Sequence, residues 1–128
     1  MTRLILPLAL AATTAGLPAH AALPARIGQC VVTRVRAVAT RLEDGATNRP
    51  IAGSGSAVEL ANGGYQVSYD TVPAVEASRR GDRARMCLVS IPRPCPPHDF
   101  RGRVYRTTDL RTGLAWTLSD SEHPCGGA

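Results

Sequence analysis

The chain has 128 residues, 44% of them hydrophobic and 20% charged, with a formal net charge of +5. That length holds one domain and excludes a TIM barrel or a dinucleotide-binding enzyme of ordinary size. The composition is too apolar and too weakly charged for a disordered chain.

The first residues read as a targeting segment. Arg3 gives a short positive start, and residues 4–17 form an apolar run without a charge. Gly16 and Pro18 interrupt a helix, and Ala19-His20-Ala21 supplies small residues before a cut. This is the three-part layout of a secretory signal peptide. The run is 17 − 4 + 1 = 14 residues long, short of the ~20 that a spanning helix needs. Residues 1–21 are therefore expected to be removed, leaving 22–128 as a single secreted or periplasmic β-domain without a stable membrane span. Cys30 follows Gln29 and lies beyond Arg26, an arrangement unsuited to lipid attachment at that cysteine. No Asn-x-Ser/Thr sequon occurs, which points to a bacterial periplasm.

Without Arg3 the balance is 14 − 10 = +4, and every basic residue is Arg. Arg suits planar, bidentate contacts to carboxylate or phosphate. The Arg residues are spread along the sequence, so nucleic-acid binding gains no support.

All four cysteines, Cys30, Cys87, Cys95 and Cys125, follow residue 21. An even count in a small exported domain reads as two disulfides. Cys95-x-x-His98 and His123-x-Cys125 also offer a zinc-type ligand set, but the spacing fits no common zinc motif. Sulfur pairing is the expectation, with no metal and no cofactor.

Residues 30–43 form the first strand candidate. Val31, Thr33, Val35, Ala37 and Ala39 share one face, whereas Val38 and Leu42 take the opposite phase. Such a switch predicts a bulge or bend. A second strand over 55–61 places Ser56, Val58 and Leu60 on one side, and Asn62-Gly63 follows as a hairpin signal of type I′. Tyr65, Val67 and Tyr69 are then predicted inward, with Gln66, Ser68 and Asp70 outward.

Residues 71–80 read as a short helix or a loop: Pro73 suits a first turn, Glu76 its positive end and Gly81 a stop. Residues 84–91 carry apolar side chains on both faces, which predicts a central strand. Pro92, Pro94, Pro96 and Pro97 cannot continue it, since proline lacks the ladder donor. Extended structure resumes over 103–108, turns over 109–113 and ends in a strand over 114–118. The string Asp109-Leu110-Arg111-Thr112-Gly113-Leu114-Ala115-Trp116 resembles one hairpin of a quinoprotein-type propeller blade. It occurs once, and a propeller needs several blades, so no function follows from the resemblance. The elements together predict an all-β fold: a small disulfide-stabilised antiparallel barrel or sandwich of five to seven strands, with room for one short helix near 73–80.

If the last three strands form a meander, the first and third run parallel. Cys95 and Cys125 then emerge on the same side of the sheet. Among the three pairings open to four cysteines, this favours Cys95–Cys125 with Cys30–Cys87.

No catalytic signature is visible. Gly53-Ser54-Gly55-Ser56 is not a nucleophile elbow. Two constellations remain. His98, Asp99, Asp120, Glu122 and His123 pair carboxylates with imidazoles and could transfer protons. Arg101, Arg103, Tyr105 and Arg111 lie near the last hairpin, with Trp116, and could hold an anionic or saccharide ligand; Arg101 and Arg103 share a face with Tyr105. The favoured reading is a binding or inhibitor-type module of the cell envelope. Its partner, an unknown protein or an anionic or saccharide ligand, would meet His98, Asp99, Arg101, Arg103, Tyr105 and His123. The alternative is a small envelope hydrolase using His98, Asp99, Asp120 and His123.

Overall fold

A computed structural model describes residues 22–127, so the expected signal peptide lies outside the described residues. Six strands and one helical turn follow in order: β1 Cys30–Thr40, β2 Ser56–Leu60, β3 Tyr65–Ser68, α1 Pro73–Glu76, β4 Arg83–Ser90, β5 Val104–Asp109 and β6 Ala115–Ser119. They form a closed antiparallel barrel in the order β1-β2-β3-β6-β5-β4, with β4 returning to pair with β1. The neighbours β4-β1-β2-β3 constitute a Greek key. Closure leaves no free sheet edge, which protects a small β-domain from edge-to-edge pairing.

The phase switch in β1 is a bulge between Val35 and Ala37, opposite Leu60 and Glu59 of β2. Before it Thr33 and Val35 face inward; after it Val38 packs against the core. One extra residue thus lets a long strand serve two neighbours, β4 with its first half and β2 with its second.

The Asn62-Gly63 hairpin forms, but not as a type I′ turn. Only Gly63 has positive φ, at 86°. The Gly63 N–H donates to Leu60 O at 3.0 Å and the Leu60 N–H to Gly64 O at 2.8 Å. This is a three-residue loop with a glycine bulge. The Asn62 side chain accepts from the Gly64 N–H at 3.0 Å, which holds the turn.

Three inward–outward assignments are corrected. In β3 it is Gln66 that enters the barrel, whereas Tyr65 and Tyr69 are exposed; Val67 is buried as expected. The helix is a single turn that places Val75 in the core and packs against β1, β2 and β6. In β4 the face of Ala84, Met86 and Leu88 is inward, while Val89 is exposed at a bulge opposite β5.

The core comprises Val35, Val58, Leu60, Val75, Ala84, Met86, Leu88, Tyr105 and Trp116. At its centre lies the Gln66 carboxamide, fully buried. Its Nε2 donates to Tyr105 O at 2.8 Å and Leu118 O at 3.2 Å. Its Oε1 accepts from Thr107 Oγ1 at 2.6 Å and Trp116 Nε1 at 3.0 Å. Both donors and both lone pairs of the amide are used. The β3–β6 seam has one paired position, Val67 with Ser119. Gln66 therefore ties β3 to β5 and β6 where the ladder is shortest.

The 109–116 string is an ordinary hairpin. Asp109 Oδ1 accepts from the N–H groups of Arg111 and Thr112 at 2.8 and 3.2 Å, and the Gly113 N–H donates to Asp109 O at 2.8 Å.

Candidate functional site

The ladder ends at Ser90, where the proline-rich segment removes backbone donors. Residues 91–103 form a loop between β4 and β5, with a cis peptide bond at Arg93–Pro94. Because Val104 pairs with Ser119, the tail leaving β6 runs beside this loop. Cys95 is bonded to Cys125, and Cys30 to Cys87. Both bridges have the pairing that the strand directions favoured. Two disulfides suit an oxidising, extracytoplasmic compartment.

Polar ties reinforce the Cys95–Cys125 bridge. Arg101 grips Asp99 with two parallel bonds, Nε to Oδ1 at 3.0 Å and Nη2 to Oδ2 at 2.9 Å. Asp99 also accepts from the Gly126 N–H at 3.0 Å, while Arg101 Nη2 donates to Gly127 O at 3.1 Å. The Cys125 N–H donates to Arg101 O at 2.9 Å. One turn further on, Asp120 accepts from the Gly102 N–H at 2.8 Å. Gly102 has φ 93°, and a Cβ there would lie 2.8 Å from the Pro124 Cα. Only glycine lets the tail cross the loop so closely.

This arrangement sets the ionisation of the two carboxyls apart. The Arg101 guanidinium, with the Gly126 N–H behind it, holds Asp99 well below the usual carboxylate range. Burial pushes Asp120 the other way, against the bonds from Gly102 and Arg103.

Two concavities flank Phe100, a residue that is 64% exposed. One is a cleft of about 430 Å³ walled by Ile91, the prolines at 92, 94 and 96, Phe100 and Arg103, with Arg93 and Asp99 also in its lining. The other, more open, is about 480 Å³ and is lined by Pro97, His98, Asp99, Phe100, Arg101 and Asp120. Arg103 is the one cation of the first cleft that is partly buried. Its guanidinium lies 5.5 Å from the Phe100 ring centre, and its Nε is buried without a hydrogen-bond partner.

The candidate residues separate accordingly. His98, Asp99 and Arg101 come together in the open depression with Asp120, which is where His98 and Asp99 of the hydrolase alternative also lie. Asp99 is engaged by Arg101. His123 lies on the crossing tail and does not line that depression. Arg103 faces the cleft. Tyr105 is corrected: it points into the barrel and is 2% exposed, so it offers a ligand no exposed ring. Burial raises the Tyr105 phenol above its usual range, the Asp120 charge adds to this, and the neighbouring Arg103 opposes it. Among the described residues, no group of three or more His, Cys, Asp or Glu side chains has the geometry to hold a metal ion.

A third cleft, of about 310 Å³, lies on the outside of β1 and β2 and includes Ala37, Ala39, Arg41, Glu43, Glu59 and Tyr65. Arg41 stacks 4.3 Å over the Tyr69 ring, donates to Ser54 O at 2.7 Å and pairs with Glu122 at 3.2 Å. Glu122 is thus a partner of Arg41, 81 residues away in sequence, a relation that no local pattern signals.

No protein-family model matches the chain, and neither a curated protein nor a solved structure is significantly similar to it.

Proposed function

We propose that this protein is an exported binding module whose ligand enters the proline-walled cleft and presents an acidic group to Arg103. The export reading, secreted or periplasmic after loss of residues 1–21, rests on the signal-like segment and is supported by the two disulfides. The observation that carries the binding reading is Arg103: a partly buried guanidinium beside the Phe100 ring in a cleft walled mainly by Ile91 and prolines, with Arg93 and the Arg101-bound Asp99 also in its lining. The Nε is shielded from solvent, so an incoming carboxylate would pair with the charge of the guanidinium rather than with that donor. The walls favour the ligand a second way. Proline fixes φ, so little loop entropy is lost on binding. The cleft therefore suits an apolar group that carries an anionic end. The hydrolase reading is the weaker one, because Asp99 is already committed to Arg101.

The test is a nuclear magnetic resonance titration with a short peptide ending in an apolar residue with a free C-terminal carboxylate. Shift changes are expected over residues 91–103 and not over the β2–β3 hairpin. Amidating the peptide, or Arg103→Leu, is expected to weaken binding roughly tenfold to a hundredfold, the range for a hydrogen bond to a charged group. Equal binding of the amidated peptide would overturn the proposal, as would changes that avoid the cleft.

A further inference from the structure

The outward faces of β1, β4 and β5 carry a feature separate from the cleft. Inward positions in β4 are Ala84, Met86 and Leu88, so Arg83 and Arg85 project outward, and both are exposed. Arg34 of β1 lies directly opposite Arg83, and Val32 directly opposite Arg85. On the other side, Arg106 of β5 lies opposite Cys87. Strand closure thus gathers four Arg that are far apart in sequence onto one curved patch. Neighbouring strands are about 4.8 Å apart and alternate residues about 7 Å apart, so these four positions lie close together on the outer surface.

This crowding is unfavourable within the protein. Like charges directly opposite each other destabilise a sheet. Among the described residues, the ion pairs use Arg36, Arg41, Arg101 and Arg111, not these four. The nearby carboxylate of Asp82 is taken by Arg111 at 2.7 Å. Arg34 finds one acceptor, Gly81 O at 2.8 Å. The patch is therefore a set of exposed cations with no carboxylate partner among the described residues.

Its apolar neighbours indicate what kind of anion. Val32 and Val89 are 45% and 44% exposed on the same strands. Leu110, 44% exposed, donates its N–H to Arg83 O and so flanks the Arg34–Arg83 pair. A glycan or a nucleic-acid backbone offers these side chains nothing apolar. A bilayer surface offers both phosphates and an acyl boundary. We infer that this face docks peripherally on an anionic phospholipid surface, with Arg34, Arg83, Arg85 and Arg106 on headgroup phosphates and Val32, Val89 and Leu110 toward the acyl boundary. Guanidinium suits the contact because it pairs with phosphate bidentately. The site is independent of the cleft ligand.

Vesicle co-sedimentation tests the inference. The protein is expected to bind phosphatidylglycerol-containing vesicles at low salt, to bind phosphatidylcholine vesicles far less, and to be released as salt rises. Each basic residue near such a surface is worth about fivefold in affinity, so Arg83→Glu with Arg85→Glu should reduce binding at least about twenty-fivefold. Both positions are exposed, and an unchanged circular dichroism spectrum would show that the fold persists. Val32→Ser with Val89→Ser should weaken vesicle binding several-fold and leave retention on a heparin column unchanged. Failure to bind phosphatidylglycerol vesicles at low salt would overturn the inference. So would retention on heparin or duplex DNA combined with unaltered vesicle binding by the valine variant, since that marks a polyanion site indifferent to lipid.

Discussion

Each disulfide joins a different kind of neighbourhood. Cys30 and Cys87 are directly opposite each other in the β1–β4 ladder, with Cα atoms 4.0 Å apart, and the strands on which they lie are already paired. Cys95 and Cys125 join a proline loop to a tail that share no ladder. The barrel that carries the first bridge is held by buried side chains and, across its β3–β6 seam, by the satisfied Gln66 amide. Around the second it comes from a covalent bond, the Asp99–Arg101 pair and a few backbone bonds. The barrel should therefore tolerate loss of the second bridge, and changes in ionisation, that loosen the loop and tail. The region with the candidate cleft is the one whose rigidity is conditional.

The largest expected effect lies in the barrel. Gln66→Leu fills a similar volume but leaves the Trp116 indole and the Thr107 hydroxyl without their acceptor. It also removes the donor shared by the Tyr105 and Leu118 carbonyls. Several buried groups would lose partners at the shortest seam, so urea unfolding should show a loss of about 3–5 kcal/mol. A loss under about 1 kcal/mol would mean that the seam closes on apolar packing alone. The contrast between a polar-knotted barrel and a polar-tied tail would then fail.

Removing the bridges separately tests the contrast itself. The chain-entropy model assigns each bridge a similar share, roughly 4 kcal/mol as an upper figure. The expected difference is where the loosening falls. With Cys95→Ser and Cys125→Ser, the amides at positions 125 and 126 should exchange rapidly, while the β2–β3 hairpin loses only the protection that the fall in global stability removes. With Cys30→Ser and Cys87→Ser, protection should fall across the barrel and the tail together, because only global stability has changed. Retained protection at positions 125 and 126 in the first variant would show that the polar ties suffice without the bridge.

The parts of this fold that were legible in the sequence are those set by neighbours along the chain. The opposed phases of Val35 and Val38 announce the β1 bulge, and proline density announces the end of β4. Strand direction was enough to pair the cysteines, since Cys95 and Cys125 follow parallel strands. What escaped depends on closure. Tyr65, Val67 and Tyr69 alternate as well as any inward set, yet Gln66 goes in, because its partners on β5 and β6 come 39 to 52 residues later. Tyr105 alternates with its strand neighbours, but which face of β5 is inward follows from its pairing with β4 and β6. Arg34, Arg83, Arg85 and Arg106 look dispersed until the ladder places them side by side.

The smallest effect is the pH dependence of the tail. In the unfolded chain Asp99 has the ordinary carboxylate value near 3.8; in the folded protein the Arg101 pair and the Gly126 N–H hold it well below that. A depressed folded value stabilises the structure above the unfolded value, and that stabilisation is lost as pH falls through the folded one. The tie should therefore be complete at neutral pH, persist through mild acid and fail only in strong acid. Asp82, held down to about 2 first by Arg111, should behave alike at the β4 side. Asp120 runs opposite, since burial raises its value and mild acid relieves rather than breaks its site. The Gly126 amide shift, followed by nuclear magnetic resonance as pH is lowered, should titrate with a midpoint well below 3.8 and lose that titration in Asp99→Asn. A midpoint at or above the ordinary value would mean that Arg101 does not hold Asp99 in solution. The tail would then depend on Cys95–Cys125 and its backbone bonds alone. Gln66 cannot ionise, so the barrel knot gives an internal reference: the Trp116 indole resonance should stay fixed while the Gly126 amide moves.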